Sequence, residues 1–303
     1  MTKYVGKRVV LAVVTLFIVC AITFFTMNAI PGGPFDGEKA VSPEVKAAME
    51  KRFNLDKPVP QQFAIYMKNI LHGDFGVSAK TGRDIGKTIS TSFKVSAKLG
   101  AMAMIVAIVF GLIFGSIAAL TRNRLPDRLI IFFSTLFTSM PSFVLASLLL
   151  LAFCIKLKWI PVWNPKNPTY ILPVVSLAAY PMAYITRLTK TSMLDAMEQD
   201  YVRTAKAKGV AGWKVLFKHT LRNALIPVVT YVGPMTASIL TGSLVVEKIF
   251  TIGGLGSKFV DSITNRDYPL IMGVTIFLAV LMVVMNLITD IVYKIIDPRI
   301  KLD

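Results

Sequence analysis

The sequence is poor in the residues that build metal and redox sites. It has two cysteines, Cys20 and Cys154, and two histidines, His72 and His219. Both cysteines lie in apolar runs and neither histidine lies near them, which predicts buried free thiols. The pattern excludes a disulfide framework and a Cys/His metal cluster, and we predict no metal site and no catalytic residues.

Charged residues are also scarce. They make up 17% of the chain, against about 25% in soluble domains. Hydrophobic residues reach 54% and the mean hydropathy is +0.62, values that indicate an integral membrane protein. Acidic residues are the rarer charge, 17 against 34 basic ones. In a membrane protein such an excess of cations is explained by cytoplasmic loops and anionic lipid, so lipid is the expected partner and nucleic acid is not.

Six apolar runs approach the length of about 20 residues that a spanning helix needs. They lie near residues 9–30, 99–120, 129–155, 171–188, 224–246 and 271–293. The first is too long for a signal peptide and lacks a small-residue cleavage site, so we expect it to be retained. Prolines in the third, fourth and fifth runs are tolerated where neighbouring helices satisfy the freed backbone groups. The sequence predicts an all-α membrane protein with six transmembrane helices.

Lysine and arginine mark one side of these spans. They cluster before the first span, between the second and third, between the fourth and fifth, and after the sixth. The positive-inside rule makes that side cytoplasmic, with both termini inside. We therefore expect a cytoplasmic N-terminus and first span in 1–30, an external loop in 31–98, and a five-helix core in 99–303 with a cytoplasmic loop near 191–222.

The external loop has helix signals of its own. Ser42 suits an N-cap and Pro43 the first helical position. A second helix is expected after Pro60 and before Gly73. Its apolar face would hold Phe63, Met67, Ile70 and Leu71.

The most charged short segment is 200–227, which contains six lysines and arginines. In its second half, Lys214, Lys218 and Arg222 recur at helical spacing and form one stripe. An apolar stripe beside them holds Trp213, Leu216, Phe217 and Leu221. This pattern is typical of a helix lying at the lipid headgroups.

The first half of the same segment is rich in small residues. Ala205, Gly209 and Gly212 follow the spacing i, i+4, i+7, which lets another surface approach the backbone closely. Gly209 is also a helix breaker and predicts a helix–turn–helix shape. The residues alone leave two readings open, a docking element for a partner protein or a plain cytoplasmic loop.

Several strings together resemble one family. Ala205–Gly209 matches the Ala-x-x-x-Gly core of the coupling loop in permease subunits of ABC transporters, and 200–227 is similar to the peptide-transporting branch. The other matching strings are GDFGVS (Gly73–Ser78), GGLG (Gly253–Gly256), NRDYP (Asn265–Pro269) and DPRI (Asp297–Ile300). PGGPFDGE (Pro31–Glu38) is most similar to the B subunits of oligopeptide permeases. Arg203 stands where the general family has Glu, as is common in the peptide branch.

The resemblance implies a type I importer permease fold, with 200–212 forming a coupling helix that docks on a cytoplasmic ATPase. The implied contact residues are Asp200, Tyr201, Arg203, Thr204, Ala205, Lys206, Ala207 and Gly209. The implied partners are a second homologous permease, two ABC ATPases that carry ATP and magnesium, and an extracytoplasmic peptide-binding protein. The implied location is the bacterial cytoplasmic (inner) membrane, and the implied cargo is oligopeptides.

No nucleotide site is expected in this chain. The nearest string to a P-loop, Gly82–Thr88, is one residue short and is not preceded by a strand. ATP hydrolysis is therefore expected on separate subunits, and the chain itself is predicted to be neither an enzyme nor a cofactor binder.

Few features of the sequence mark the path that the cargo would take. We predict a path lined by hydroxyl side chains of the third and fifth spans: Ser139, Ser142, Thr236, Ser238, Thr241 and Ser243. The alternative function is a self-sufficient secondary transporter or channel. The absence of histidine from every predicted span counts against proton coupling in that alternative, and against Ser/His hydrolysis within the membrane.

Overall fold

The computed structural model describes residues 2–30 and 43–296, and within these ranges the chain is helical, with strand pairing limited to two isolated bridges. In chain order the helices are α1 (Thr2–Ala29), α2 (Pro43–Arg52), α3 (Val59–Leu71), α4 (Ile85–Leu120), α5 (Leu125–Ser139), α6 (Ser142–Leu149), the π-helix π1 (Leu150–Lys156), α7 (Ile171–Met197), α8 (Asp200–Ala207), α9 (Gly212–Lys214), the π-helix π2 (Val215–Leu221), α10 (Arg222–Gly242), α11 (Leu244–Ile249), α12 (Leu255–Thr264) and α13 (Tyr268–Ile296). The all-α prediction is confirmed.

Within the described residues, four helices are long and apolar enough to cross a membrane. They are α1 from Arg8, α4, α7, and α13 as far as Asp290, and each covers most of a predicted span. Helices α5 and α6 with π1 would make a fifth span if the bent pair is one unit. The predicted span 224–246 falls on α10 and α11. Helix α10 is not among the four helices that are long and apolar enough to cross a membrane.

The predicted span over 129–155 is broken in the structure. Helices α5 and α6 meet at an angle of 105°. Met140 lies at the break with an extended ψ of 123°, and Pro141 follows it. A proline ring clashes with a helical residue before it, so Met140 leaves the helix and the span bends.

The described residues fall into two compact units. The first combines residues up to Val95 with Gly253–Val283, and the second combines Ser96–Ile252 with residues from Val284 onward. In the first unit, α3 packs Phe63, Met67 and Ile70 against an apolar cluster that includes Phe24 of α1. The predicted face of α3 is thus confirmed except for Leu71, which is 82% exposed. Pro43 does begin α2, whereas Ser42 and Pro31–Glu38 lie outside the described residues.

Two of the strings that carried the resemblance meet in this first unit. The Ser78 hydroxyl, at the end of GDFGVS, donates a hydrogen bond to buried Asp267 of NRDYP. The Ala79 N–H donates to the other oxygen of the same carboxylate at 3.0 Å. These bonds fix the loop before α4 to the start of α13, so the two strings form one contact in the structure. The string Asp297–Ile300 lies outside the described residues.

Helix α7 is the centre of the second unit. Its buried side packs against α10, α5 and α6. It also meets α4 closely: an added Cβ on Gly115 would lie 2.5 Å from the Thr189 Cβ, and one on Gly111 would lie 2.7 Å from Ile185 Cγ2. Two glycines one turn apart let the helix backbones approach, as small residues do in membrane helix packing.

Candidate coupling site

The small-residue segment forms a short helix and a tight turn. Helix α8 begins at Asp200, whose negative charge in the first turn suits the positive end of the helix dipole. It ends before Gly209, which has a φ of +73°, a conformation that favours glycine. The Val210 N–H closes the turn on the Ala205 carbonyl at 3.1 Å. The predicted helix–turn–helix shape is confirmed.

Helix α8 is held by a small apolar cluster on one of its faces. Val202 and Ala205 are buried against Val215 of π2, and Val210 packs beside them. Because Val202 and Ala205 are three residues apart, they share one side of the helix. This cluster attaches α8 to the rest of the second unit and leaves its other face open.

The structure separates the predicted contact residues by face. Seven of them are exposed on α8 and its turn: Asp200, Tyr201, Arg203, Thr204, Lys206, Ala207 and Gly209. Ala205 is 7% exposed and packs inward, so the expectation that it lies on the docking face is wrong. The spacing argument failed there because small residues suit close packing within the chain as well as between chains. The open face carries Ala207 between the cations Lys206 and Lys208.

The basic and aromatic stripes after the turn are only partly as predicted. Lys214, Lys218 and Arg222 are exposed, and so are Trp213 and Phe217. The other two members of the predicted apolar stripe, Leu216 and Leu221, pack against the cluster around Met193 and Ala224. Val215–Leu221 is a π-helix, so the α-helical spacing on which the stripe was built does not hold through it.

Polar contacts that the sequence did not single out join the last turns of α7, the helix before α8, to the start of α5. Lys190, near the end of α7, pairs with Asp127 at the start of α5 over 2.5 Å, and the Asn123 N–H donates to the same carboxylate at 2.9 Å. Asp127 and Lys190 side chains are only 6% and 21% exposed. The signal in the sequence was an acid in the first turn after a helix-starting proline, in a segment whose other charged residues are all arginines.

The predicted cargo-path hydroxyls have different surroundings. Ser139 and Ser142 are exposed on either side of the bend between α5 and α6. Thr236 instead bonds the Val232 carbonyl at 2.7 Å and lies 2.8 Å from the Met104 sulfur, and buried Ser243 bonds Glu247. Those two hydroxyls bond to neighbouring groups of their own chain, as in helix packing, and their assignment to the path stays a prediction. The side chains of Ser238 and Thr241 lie outside the described residues.

The geometry is that of a membrane-embedded chain in which the short helix α8 exposes one face. Among the residues the structure describes, no group of three or more His, Cys, Asp or Glu side chains could hold a metal. Two family models cover almost the entire chain. The model of the binding-protein-dependent transport system inner membrane component matches residues 111–302, and its N-terminal companion matches residues 1–99. The chain belongs to this family.

Curated relatives of this permease agree with the assignment. It is 43% identical to the dipeptide transport system permease protein DppB of Bacillus subtilis (strain 168), over 100% of this chain and 99% of the relative. It is 42% identical to the oligopeptide transport system permease protein OppB of Haemophilus influenzae (strain Rd), over 99% and 100%. Against OppB of Escherichia coli (strain K12) the identity is 40%, over 99% and 100%.

Solved structures support the fold. An amino acid ABC transporter crystallised with histidines matches with a TM-score of 0.56 at 13% identity, over 69% of this permease and 94% of that chain. The inward-facing methionine transporter MetNI matches with a TM-score of 0.53 at 14% identity, over 69% and 95%. The chain is therefore an integral membrane permease of the ABC importer type, a transporter component rather than an enzyme, and ATP hydrolysis belongs to separate subunits.

Proposed function

We propose that this permease carries oligopeptides inward as one of two homologous permease subunits in an ATP-driven importer. The dipeptide and oligopeptide systems named for its relatives support the cargo class, since the likeness extends over full length. The complex would include two cytoplasmic ATPases, which bind ATP and magnesium, and an extracytoplasmic peptide-binding protein. The cation-rich loops support an orientation with both termini in the cytoplasm and 31–98 outside.

The observation that carries the coupling proposal is the open face of α8. A helix of eight residues is too short to persist alone, yet Val202 and Ala205 anchor it and leave its polar face exposed. A rigid exposed helix can transmit a push from a partner to the helices behind it. The adjoining end of α7 packs Met193 and Ala196 against Ala119 of α4 and Ala224 of α10, which gives that push a direct route into the spans.

The test is a substitution on the open face that leaves the anchor intact. Ala207→Arg places a long charged side chain where a partner would approach, and Ala207→Ser keeps the side chain small. We expect Ala207→Arg to insert normally and to lose at least about tenfold of ATP-driven peptide uptake in proteoliposomes containing the full complex, a loss equivalent to about 1.4 kcal/mol. Ala207→Ser should remain near the wild-type rate.

Two results would contradict the coupling proposal. One is an Ala207→Arg complex that transports at the wild-type rate. The other is ATP-independent uptake by the wild-type chain alone, which would favour a secondary transporter.

A further inference from the structure

The exposed faces of two spanning helices are suited to lipid. On α1, the most exposed side chains include Val13 and Ile22, and on α4 they include Ile105 and Ile113. These side chains are large and wholly apolar. Hydrocarbon offers no hydrogen-bond partners, so a helix surface that meets lipid tails carries apolar groups of this kind.

Helix α7 presents the opposite pattern. Most of it is buried, and its buried positions are largely apolar. Along its central and final turns the exposed side chains are Tyr180, Tyr184, Thr191 and Asp195, and they share one side of the helix with half-buried Arg187; we call these five residues the α7 stripe. Tyr180 and Tyr184 are 48% and 38% exposed. They lie about 14 and 20 Å from the first residue of α7, in the central part of the span.

A tyrosine from α10 extends this surface. The rings of Tyr184 and Tyr231 are in contact, with centroids 4.2 Å apart and planes tilted by 32°. Burying a phenol hydroxyl in hydrocarbon without a hydrogen bond costs on the order of 2 kcal/mol or more. Hydroxyls exposed at the centre of a span therefore indicate a surface that meets polar groups rather than lipid tails.

Arg187 is the strongest feature of the α7 stripe. One turn further on, Lys190 satisfies its charge with Asp127 at 2.5 Å. Arg187 forms no ion pair with any residue of the described ranges. Arg187 lies at the cytoplasmic end of the predicted span 171–188, and a cation in a spanning helix marks a substrate path or a partner charge. The structure thus leaves one guanidinium available beside exposed aromatic rings.

We propose that the α7 stripe, with Tyr231, binds peptide cargo during its passage, and that Arg187 pairs with the carboxylate at the peptide's C-terminus. The planar guanidinium suits a carboxylate because it can donate two parallel hydrogen bonds. Tyrosine hydroxyls can bond main-chain amides and carbonyls, and the rings accept varied side chains. Such a surface recognises features that all peptides share. This inference rests on the proposed function.

The test compares a peptide that has a free C-terminal carboxylate with the same peptide amidated. Uptake is measured in proteoliposomes containing the complete transporter and its binding protein, and the ratio of the two rates is taken for each variant. Because every variant uses the same binding protein, a change in the ratio arises in the permease. We expect Arg187→Gln to lower the ratio of acid to amide uptake by about tenfold, as loss of a charged hydrogen bond predicts.

Two control variants and a second test, at Tyr184, accompany the Arg187→Gln measurement. Arg187→Lys keeps the charge but loses the two parallel hydrogen bonds, so it should retain only part of the ratio. Arg128→Gln removes an exposed cation from the start of α5, which is not part of the α7 stripe, and should leave the ratio unchanged. Tyr184→Ala should raise KM for both peptides with less effect on kcat, while Tyr184→Phe should be milder.

An unchanged ratio in Arg187→Gln would overturn the inference. So would failure of the Arg187 variants to co-purify with the second permease, because the stripe would then be a subunit interface. Both outcomes leave ATP-driven uptake by the wild-type complex intact. Absence of that uptake would instead overturn the proposed function.

Discussion

At the scale of single residues, close helix contacts in the second unit depend on positions that have no side chain. Gly115 shows this most clearly, because an added Cβ would lie 2.6 Å from the Thr186 carbonyl oxygen as well as 2.5 Å from Thr189. A backbone atom cannot move aside as the end of a flexible side chain can.

We therefore predict that Gly115→Ala forces α4 and α7 apart and destabilises the protein by about 1–3 kcal/mol. Gly212→Ala is the matched control, because nothing lies within 4 Å of its added Cβ. The measurement is the thermal unfolding midpoint of the purified protein in detergent. Equal midpoints for the two variants would show that this helix contact is looser than the structure has it.

Two ion pairs of this unit should differ in their contribution to stability. In the first pair, the Asp127 side chain is 6% exposed and the Lys190 side chain 21%. In the second pair, the Arg122 side chain is 57% exposed and the Glu198 side chain 69%. Removing one partner of a buried pair strands the other charge, whereas an exposed pair is screened by water.

Asp127→Asn should accordingly cost about 3 kcal/mol of stability, and Glu198→Gln less than about 1 kcal/mol. Thermal unfolding of both variants in the same detergent compares them. The double variant Asp127→Asn, Lys190→Met removes both charges and should recover part of the loss. Similar unfolding curves for Asp127→Asn and Glu198→Gln would contradict the difference in burial.

At the scale of elements, the two faces of α8 should respond differently to one and the same substitution. Ala205→Arg places a charge inside the cluster of Val202 and Val215, so we expect α8 to detach from π2. Ala207→Arg lies on the open face and should leave α8 attached. Limited proteolysis of inside-out vesicles measures this: cleavage within 200–210 should accelerate in Ala205→Arg only. Equal protection of both variants would contradict the buried placement of Ala205.

The positions of the spans were predictable from the sequence, whereas the effect of each proline was not. Apolar runs located α1, α4, α7 and α13 because hydropathy depends on composition alone. The effect of each proline depends on its neighbours: Pro181 lies inside α7, while Pro141 ends α5 and opens a 105° bend. Hydropathy also missed the first turns of α4, where Ile85 and Ile89 pack inward among polar residues.

The site was predictable to a similar extent. The string around Ala205–Gly209 located a short helix and its turn, because glycine after a helix has a local cause. Which small residue lies inside is decided by Val215, ten residues further along the chain, and no spacing rule contains that contact. The α7 stripe was missed for a related reason: Arg187 lies within an apolar run, and its exposure depends on how α7 packs.

At the scale of the whole molecule, we expect this permease to need other subunits to work. Its open α8 face, its lack of a nucleotide motif and its membership of the binding-protein-dependent family all imply that the energy source lies on other chains. A chain of this kind should be isolated as part of an assembly.

The most direct measurement is purification of the tagged chain from its native membranes in mild detergent, followed by mass spectrometry of the proteins that accompany it. We expect P-loop ATPases and a second, homologous permease, and we expect the ATPases to be lost when Ala207→Arg replaces the wild-type chain. A chain that purifies alone and still transports peptide without ATP would contradict the account.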